Sequence, residues 1–142
     1  MEVQIRNEQK LPVNEQRLVW TAEKVLRAEQ CSENCELSVL LVDDETIQGL
    51  NREYLGKDSP TDVLSFYQNE PGETGDVLGD VVISVETAER QSREYGETLD
   101  EELEVLLGHG ILHLLGYTDY TEEMAGKMAE RLEEILGRPI GR

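Results

Sequence analysis

The sequence predicts a single layered α+β domain, a small sheet packed with about five helices, and three observations lead there. Short apolar runs, above all Leu37 to Val42 and Leu78 to Ser84, have the length of buried strands. Between them lie stretches whose apolar residues recur three and four apart, the pattern of helices with one buried face. The alternation carries no internal repeat or low-complexity tract, and 142 residues suffice for one core, so one domain over residues 1–142 is expected.

Taken in order, Val3 to Arg6 reads as the first strand. Asn14 is placed to cap a helix whose inner face uses Leu18, Ala22, Val25 and Leu26, ending near Gln30 before a loop over Cys31 to Cys35. Leu37 to Val42 follows as a buried strand, and Asp43 caps a helix with Ile47, Leu50 and Tyr54 inward that Gly56 closes. Asp62 to Phe66 reads as a strand, Tyr67 to Val77 as a turn-rich loop, and Leu78 to Ser84 as the next strand. Ser84 opens a helix to about Tyr95, closed by Gly96. Thr98-Leu-Asp-Glu101 is a capping box for the helix carrying both histidines. A last helix, Thr121 to Gly137, places Met124, Met128, Leu132 and Ile135 in the core.

Charge and cysteine content exclude several classes. A formal charge of −18, from 31 acidic and 13 basic residues, opposes general affinity for nucleic acid, so any RNA contact must be local and no DNA partner is expected. Cys31 and Cys35 are too few for a disulfide framework, and their spacing is neither a redox pair nor a zinc set, so they are expected as reduced thiols. No apolar run is long enough to span a membrane and no signal peptide is legible, which predicts a cytoplasmic protein.

The chemistry concentrates in His109-Gly-Ile-Leu-His113-Leu-Leu-Gly116-Tyr-Thr-Asp119, which holds both histidines of the chain. Four residues apart on a helix, the two imidazoles share one face and can reach one metal ion. Gly116 ends the helix and turns the chain, bringing Asp119 as a third ligand. Three protein ligands leave a position for water, whose pKa a zinc ion lowers; the same set also suits iron. The competing reading has each imidazole satisfied by a backbone carbonyl in the core, with Asp119 capping the following helix. Zinc peptidases of this spacing carry a glutamate after the first histidine, where this chain has Gly110, so peptide hydrolysis lacks its usual base. Phosphodiester cleavage makes no such demand.

These residues resemble a known family. His109-Gly-x-Leu-His113-Leu-x-Gly116-Tyr117 is similar to the signature of the YbeY endoribonucleases, Gly56-Lys-Asp-x-Pro60-Thr-Asp-Val-Leu-Ser-Phe66 to their second motif, and Gly79-Asp80-Val-Val-Ile-Ser84 to their third. The resemblance runs in order from about residue 37 to residue 136. It implies a mixed sheet with a metzincin-like metal-binding helix, one zinc ion, and action on single-stranded RNA in ribosomal RNA maturation and ribosome quality control. Ribosomal RNA and ribosome-associated proteins are then the expected partners. Two positions depart from the pattern: Asp119 stands where the family's third metal-binding histidine is expected, and Leu55 stands where many relatives have an arginine. Lys57 and Arg52 are the nearest basic candidates for substrate binding, against the alternative that both are simply solvated. Two other readings remain open: a ribosome-assembly adaptor with a structural metal, and a metal-dependent hydrolase of another substrate.

Overall fold

Strand pairing decides where the helices go. In the computed structural model, which describes residues 1–68 and 76–140, four strands pair in the order β1-β2-β4-β3. These are β1 (Glu2–Asn7), β2 (Glu36–Val42), β3 (Val63–Tyr67) and β4 (Val77–Ser84). The pairs β1–β2 and β2–β4 are parallel and β3–β4 is antiparallel, so the sheet is mixed and β3 forms one edge. Parallel neighbours need crossovers. Helix α1 (Glu15–Ala28) connects β1 to β2, while α2 (Asp44–Leu55) leads toward β3. The chain ends with α3 (Val85–Tyr95), α4 (Leu99–Leu114) and α5 (Glu122–Leu136), giving the α+β architecture that the alternating pattern predicts.

Alternation along the strands builds two cores. Leu37, Val39 and Leu41 of β2, with Val81 and Ile83 of β4, join Leu18 and Val25 of α1 and Leu107 and Ile111 of α4 in the main core. The opposite face supplies Val42, Leu64 and Val82, which pack with Ile47 under α2. Helix α4 is apolar on nearly all sides because it contacts β3, β4, α1, α3 and α5 at once. Gly108 and Gly110 permit that depth: a Cβ at 108 would stand 2.4 Å from Leu132 Cδ1, and one at 110 would stand 2.5 Å from Val81 Cγ1.

The capping signals at Asn14, Asp43, Ser84 and Thr98 act as the sequence predicts, and Thr121, rather than Asp119, opens α5. Asn14, Asp43, Ser84, Thr98 and Thr121 each accept from a backbone N–H of the helix they open. Thr98 and Glu101 complete the reciprocal box. Two inward assignments are corrected. Tyr54 is 61% exposed on the last turns of α2, where its ring meets Phe66 edge-on with centroids 5.3 Å apart. Met124 is 44% exposed on the first turn of α5, whereas Met128, Leu132 and Ile135 are buried. The expected loop from Tyr67 to Val77 falls largely on residues 69–75, outside the described residues.

A part-buried junction ties the starts of α2 and α3 together. Asp44 Oδ1 accepts from Ser84 Oγ and Thr87 Oγ1, each at 2.6 Å, and Arg90 lies 2.9 Å from Oδ2. Burial alone pushes this carboxyl up, but the hydrogen bonds and the guanidinium outweigh it and hold it below the usual range. Asp44 therefore adds stability above the unfolded-state pKa of about 3.9, and loses it as pH falls through the lower folded value. Asp44→Asn is expected to destabilise by about 1–3 kcal/mol at pH 7, with the difference narrowing in acid below about pH 4. Urea denaturation across pH checks this, and a pH-independent difference would contradict it.

Cys31 is half-buried and Cys35 buried, and both are free, matching the expected reduced thiols. Burial first, then the neighbouring Cys35 and Glu29, push the Cys31 thiol up to about 11. At neutral pH it should carry roughly 100-fold less thiolate than an ordinary cysteine, so alkylation by iodoacetamide should be correspondingly slow. Alkylation at the rate of a free thiol would refute this.

Candidate metal centre

The turn after α4 is built by its own backbone. Gly116 N donates to His113 O at 3.1 Å and Tyr117 N to Leu112 O at 3.0 Å, the paired bonds of a Schellman ending. Gly116 takes φ 103°, a conformation that glycine adopts without a Cβ penalty. The chain is thereby reversed against the last turn of α4.

That reversal sets the state of His113. Its Nδ1 lies 3.0 Å from the carbonyl oxygen of Tyr117. A carbonyl only accepts, so Nδ1 must carry the proton, and in the neutral ring Nε2 keeps its lone pair. Nε2 stands 3.8 Å from Asp119 Oδ2. Two donors on one tetrahedral ion, each about 2.1 Å from it, stand roughly 3.4 Å apart, so this pair is spaced close to what zinc needs. A metal-ligating imidazole whose other nitrogen is fixed by a carbonyl is also the usual outer-shell arrangement.

His109, one turn earlier on α4, lines the same cleft as His113 and Asp119. The cleft holds about 610 Å³ between β3, the end of α4 and the first half of α5. Among the described residues no three His, Cys, Asp or Glu side chains converge as a finished ligand set. The structure thus brings His113 and Asp119 together and places His109 on their cleft. The chemistry of the donors fits zinc: two imidazoles, one with its Nδ1 on a backbone carbonyl and its Nε2 toward Asp119, and an exposed carboxylate.

The two basic candidates fall elsewhere. Neither Arg52 nor Lys57 lines the cleft, and Arg52 turns instead to Asp58 at 3.4 Å. Leu55 does line it, and no Lys or Arg appears among its described lining residues. Asp62 serves the entry to β3: its Oδ1 accepts from Val63 N at 2.8 Å and its carbonyl accepts from Ser84 N at 2.9 Å. Ser65, whose hydroxyl could by sequence serve a phosphate or the outer shell of a metal, is a supporting residue. Its hydroxyl donates to Gly110 O at 2.9 Å, tying β3 to α4 between the two histidines.

Gly110 also accounts for the missing peptidase base. Its Cα faces β4 at contact distance, with Val81 Cγ1 and Cγ2 and Ser65 Oγ within 3.3 Å of any added Cβ. A glutamate could not be accommodated there without lifting α4 from the sheet.

The sequence matches the family profile described as Endoribonuclease YbeY over residues 4–139. It is 51% identical to the Endoribonuclease YbeY of Pelotomaculum thermopropionicum, covering 85% of this chain and 83% of that protein. The Endoribonuclease YbeY of Moorella thermoacetica is 47% identical, with 96% of each chain covered. The solution structure of TM1509 from Thermotoga maritima superposes with a TM-score of 0.63 at 30% identity, covering 95% of this chain and 89% of that one. The family signature, the mixed sheet and the profile match agree, and the chain belongs to the YbeY endoribonuclease family.

Proposed function

We propose that this protein is a zinc-dependent endoribonuclease that cleaves single-stranded RNA and works in the cytoplasm on ribosomal RNA, at the 3′ end of the small-subunit species. The observation that carries the reading is His113 Nε2 set 3.8 Å from Asp119 Oδ2 in a cleft, on a chain of this family. His109, His113 and Asp119 would hold the ion. A bound zinc supplies Lewis acidity to a phosphoryl oxygen and lowers the pKa of water. The remaining work falls to the chain itself. Tyr117 O fixes the tautomer of His113, and Ser65 holds α4 on β3. Leu55, Val63 and Met128 give the cleft apolar walls that limit water around the reacting phosphate.

A lining without Lys or Arg leaves substrate phosphates dependent on the ion, and on Arg52 and Lys57 only outside the cleft. The same observation favours one second reading, a ribosome-assembly adaptor whose metal is structural. Cleavage separates the two. A single-stranded fragment of small-subunit ribosomal RNA should be cut by the wild type and spared when annealed to its complement. Binding to ribosomal particles with no turnover of either substrate would favour the adaptor. A hydrolase of peptides is disfavoured, since the packing of Gly110 against Val81 leaves no place for the peptidase glutamate.

Asp119 makes a further expectation specific. A carboxylate in place of an imidazole lowers the charge of the site by one unit and should leave bound water less acidic. Asp119→His is expected to shift the rising limb of the pH–rate profile to lower pH. Superimposable profiles for the two proteins would contradict this.

A further inference from the structure

Edge strand β3 runs along the cleft that holds the histidines. Val63, Ser65 and Tyr67 alternate onto the face that lines it, while Leu64 and Phe66 turn to the smaller core under α2. Ser65 marks the level of the histidines, since its hydroxyl meets Gly110 O at 2.9 Å between them. Tyr67 stands two residues farther along, about 7 Å at the rise of a strand, a step comparable to one nucleotide of an extended RNA chain. It is 52% exposed, and Leu55, at the end of α2 on the same cleft, is 54% exposed. Neither side chain joins either core, so the fold gains little from their size. The cleft walls offer phosphate little in return: no Lys or Arg appears among the described lining residues, and Asp62 and Asp119 both do.

We infer that Tyr67 is a substrate-binding residue: its ring stacks on an unpaired base about one nucleotide from the bond that is cut, with Leu55 as a second apolar surface of the cleft. The inference rests on the reading of this cleft as the place where RNA is cleaved. A strand held between acidic walls has to be gripped by its bases, and an aromatic face offers that grip without any positive charge. Every base has such a face, so the contact tolerates any sequence. In a duplex both faces of each base are already covered by its stacked neighbours. The same ring therefore selects single strands, a preference that no basic patch would give.

The test compares the full-length wild type with Tyr67→Ala, which removes the ring, and Tyr67→Phe, which keeps it. Initial rates are measured on a single-stranded ribosomal RNA fragment and on a series of the same fragment with one abasic residue moved along the chain. Tyr67→Ala should lower kcat/KM on the intact fragment by about 5- to 100-fold, and Tyr67→Phe should stay close to the wild type. For the wild type, an abasic residue beside the cleavage position should cost a similar factor. In Tyr67→Ala that abasic residue should cost nothing more, because ring and base are lost as one contact. A merely structural tyrosine would leave the abasic penalty intact and lower the melting temperature instead. An abasic penalty unchanged in Tyr67→Ala, or equal kcat/KM for Tyr67→Ala and the wild type, overturns the inference alone. A wild type that cuts no single-stranded RNA removes the nuclease reading, and this inference with it.

Discussion

His113→Ala is expected to weaken zinc binding by about 100-fold or more and to take RNA cleavage with it. Complete structural zinc sites contribute about 10–16 kcal/mol, so one donor among four is worth roughly 3 kcal/mol, and each 1.4 kcal/mol is tenfold in affinity. The fold should hardly notice. The His113 side chain is 31% exposed; it loses its hydrogen bond to the Tyr117 carbonyl, worth about 1 kcal/mol, and a solvent-exposed contact with Asp119 at 3.8 Å that adds little. The metal-free variant should therefore melt within about 4 °C of the wild type. Competition titration and thermal melting check the two halves together. Unchanged zinc affinity would remove His113 from the ligand set.

Gly110→Ala should be destabilising although it lies inside a helix, where alanine is ordinarily favoured over glycine by about 1 kcal/mol. The added methyl would meet Val81 Cγ1 at 2.5 Å, and Val81 is fully buried at the centre of the sheet with no room to retreat. Overpacking of this kind costs about 1–3 kcal/mol, which exceeds or at least cancels the propensity gain. Gly126 of α5 is the matched control. A Cβ there meets nothing within 4 Å, so Gly126→Ala should stabilise by about 0.5–1 kcal/mol. Urea midpoints for the two variants should move in opposite directions. Because Gly110 sits between the histidines, its substitution should also weaken zinc binding, and that of Gly126 should not. Equal shifts of both midpoints would mean that α4 does not press on the sheet as described.

Local features were legible in the sequence because their causes are local. A helix opens where a short polar side chain can reach the N–H three residues on, and Asn14, Asp43, Ser84, Thr98 and Thr121 all do so. The i, i+4 spacing of His109 and His113 and the glycine turn at 116 likewise needed no tertiary knowledge. What escaped was everything that depends on distant segments meeting. No periodicity says that β4 lies between β2 and β3, and hence that Val81 presses on Gly110. Nor does it say that Asp44 closes a part-buried cluster with Ser84 and Thr87 some 40 residues away. Glu102, fully buried on α4, is likewise invisible to local pattern. Arg52 and Lys57 were assigned by their nearness to the Gly56-Lys57-Asp58 turn. The left-handed Gly56 closes α2 there, and Arg52 is left beside Asp58 outside the cleft. Tyr54 and Met124 show the limit of apolar spacing, since a helix can continue its stripe past the edge of what it covers.

The central claim is that RNA cleavage belongs to a metal ion held by His109, His113 and Asp119. Its most direct test is a cycle of chelation and zinc restoration on one preparation of the wild type, cutting a single-stranded ribosomal RNA fragment, with bound zinc measured at each stage and His113→Ala purified in parallel. The account predicts that cleavage falls and returns in proportion to bound zinc, and that His113→Ala stays inactive throughout. Cleavage that persists in the zinc-free protein, or that is equal in His113→Ala, would contradict it.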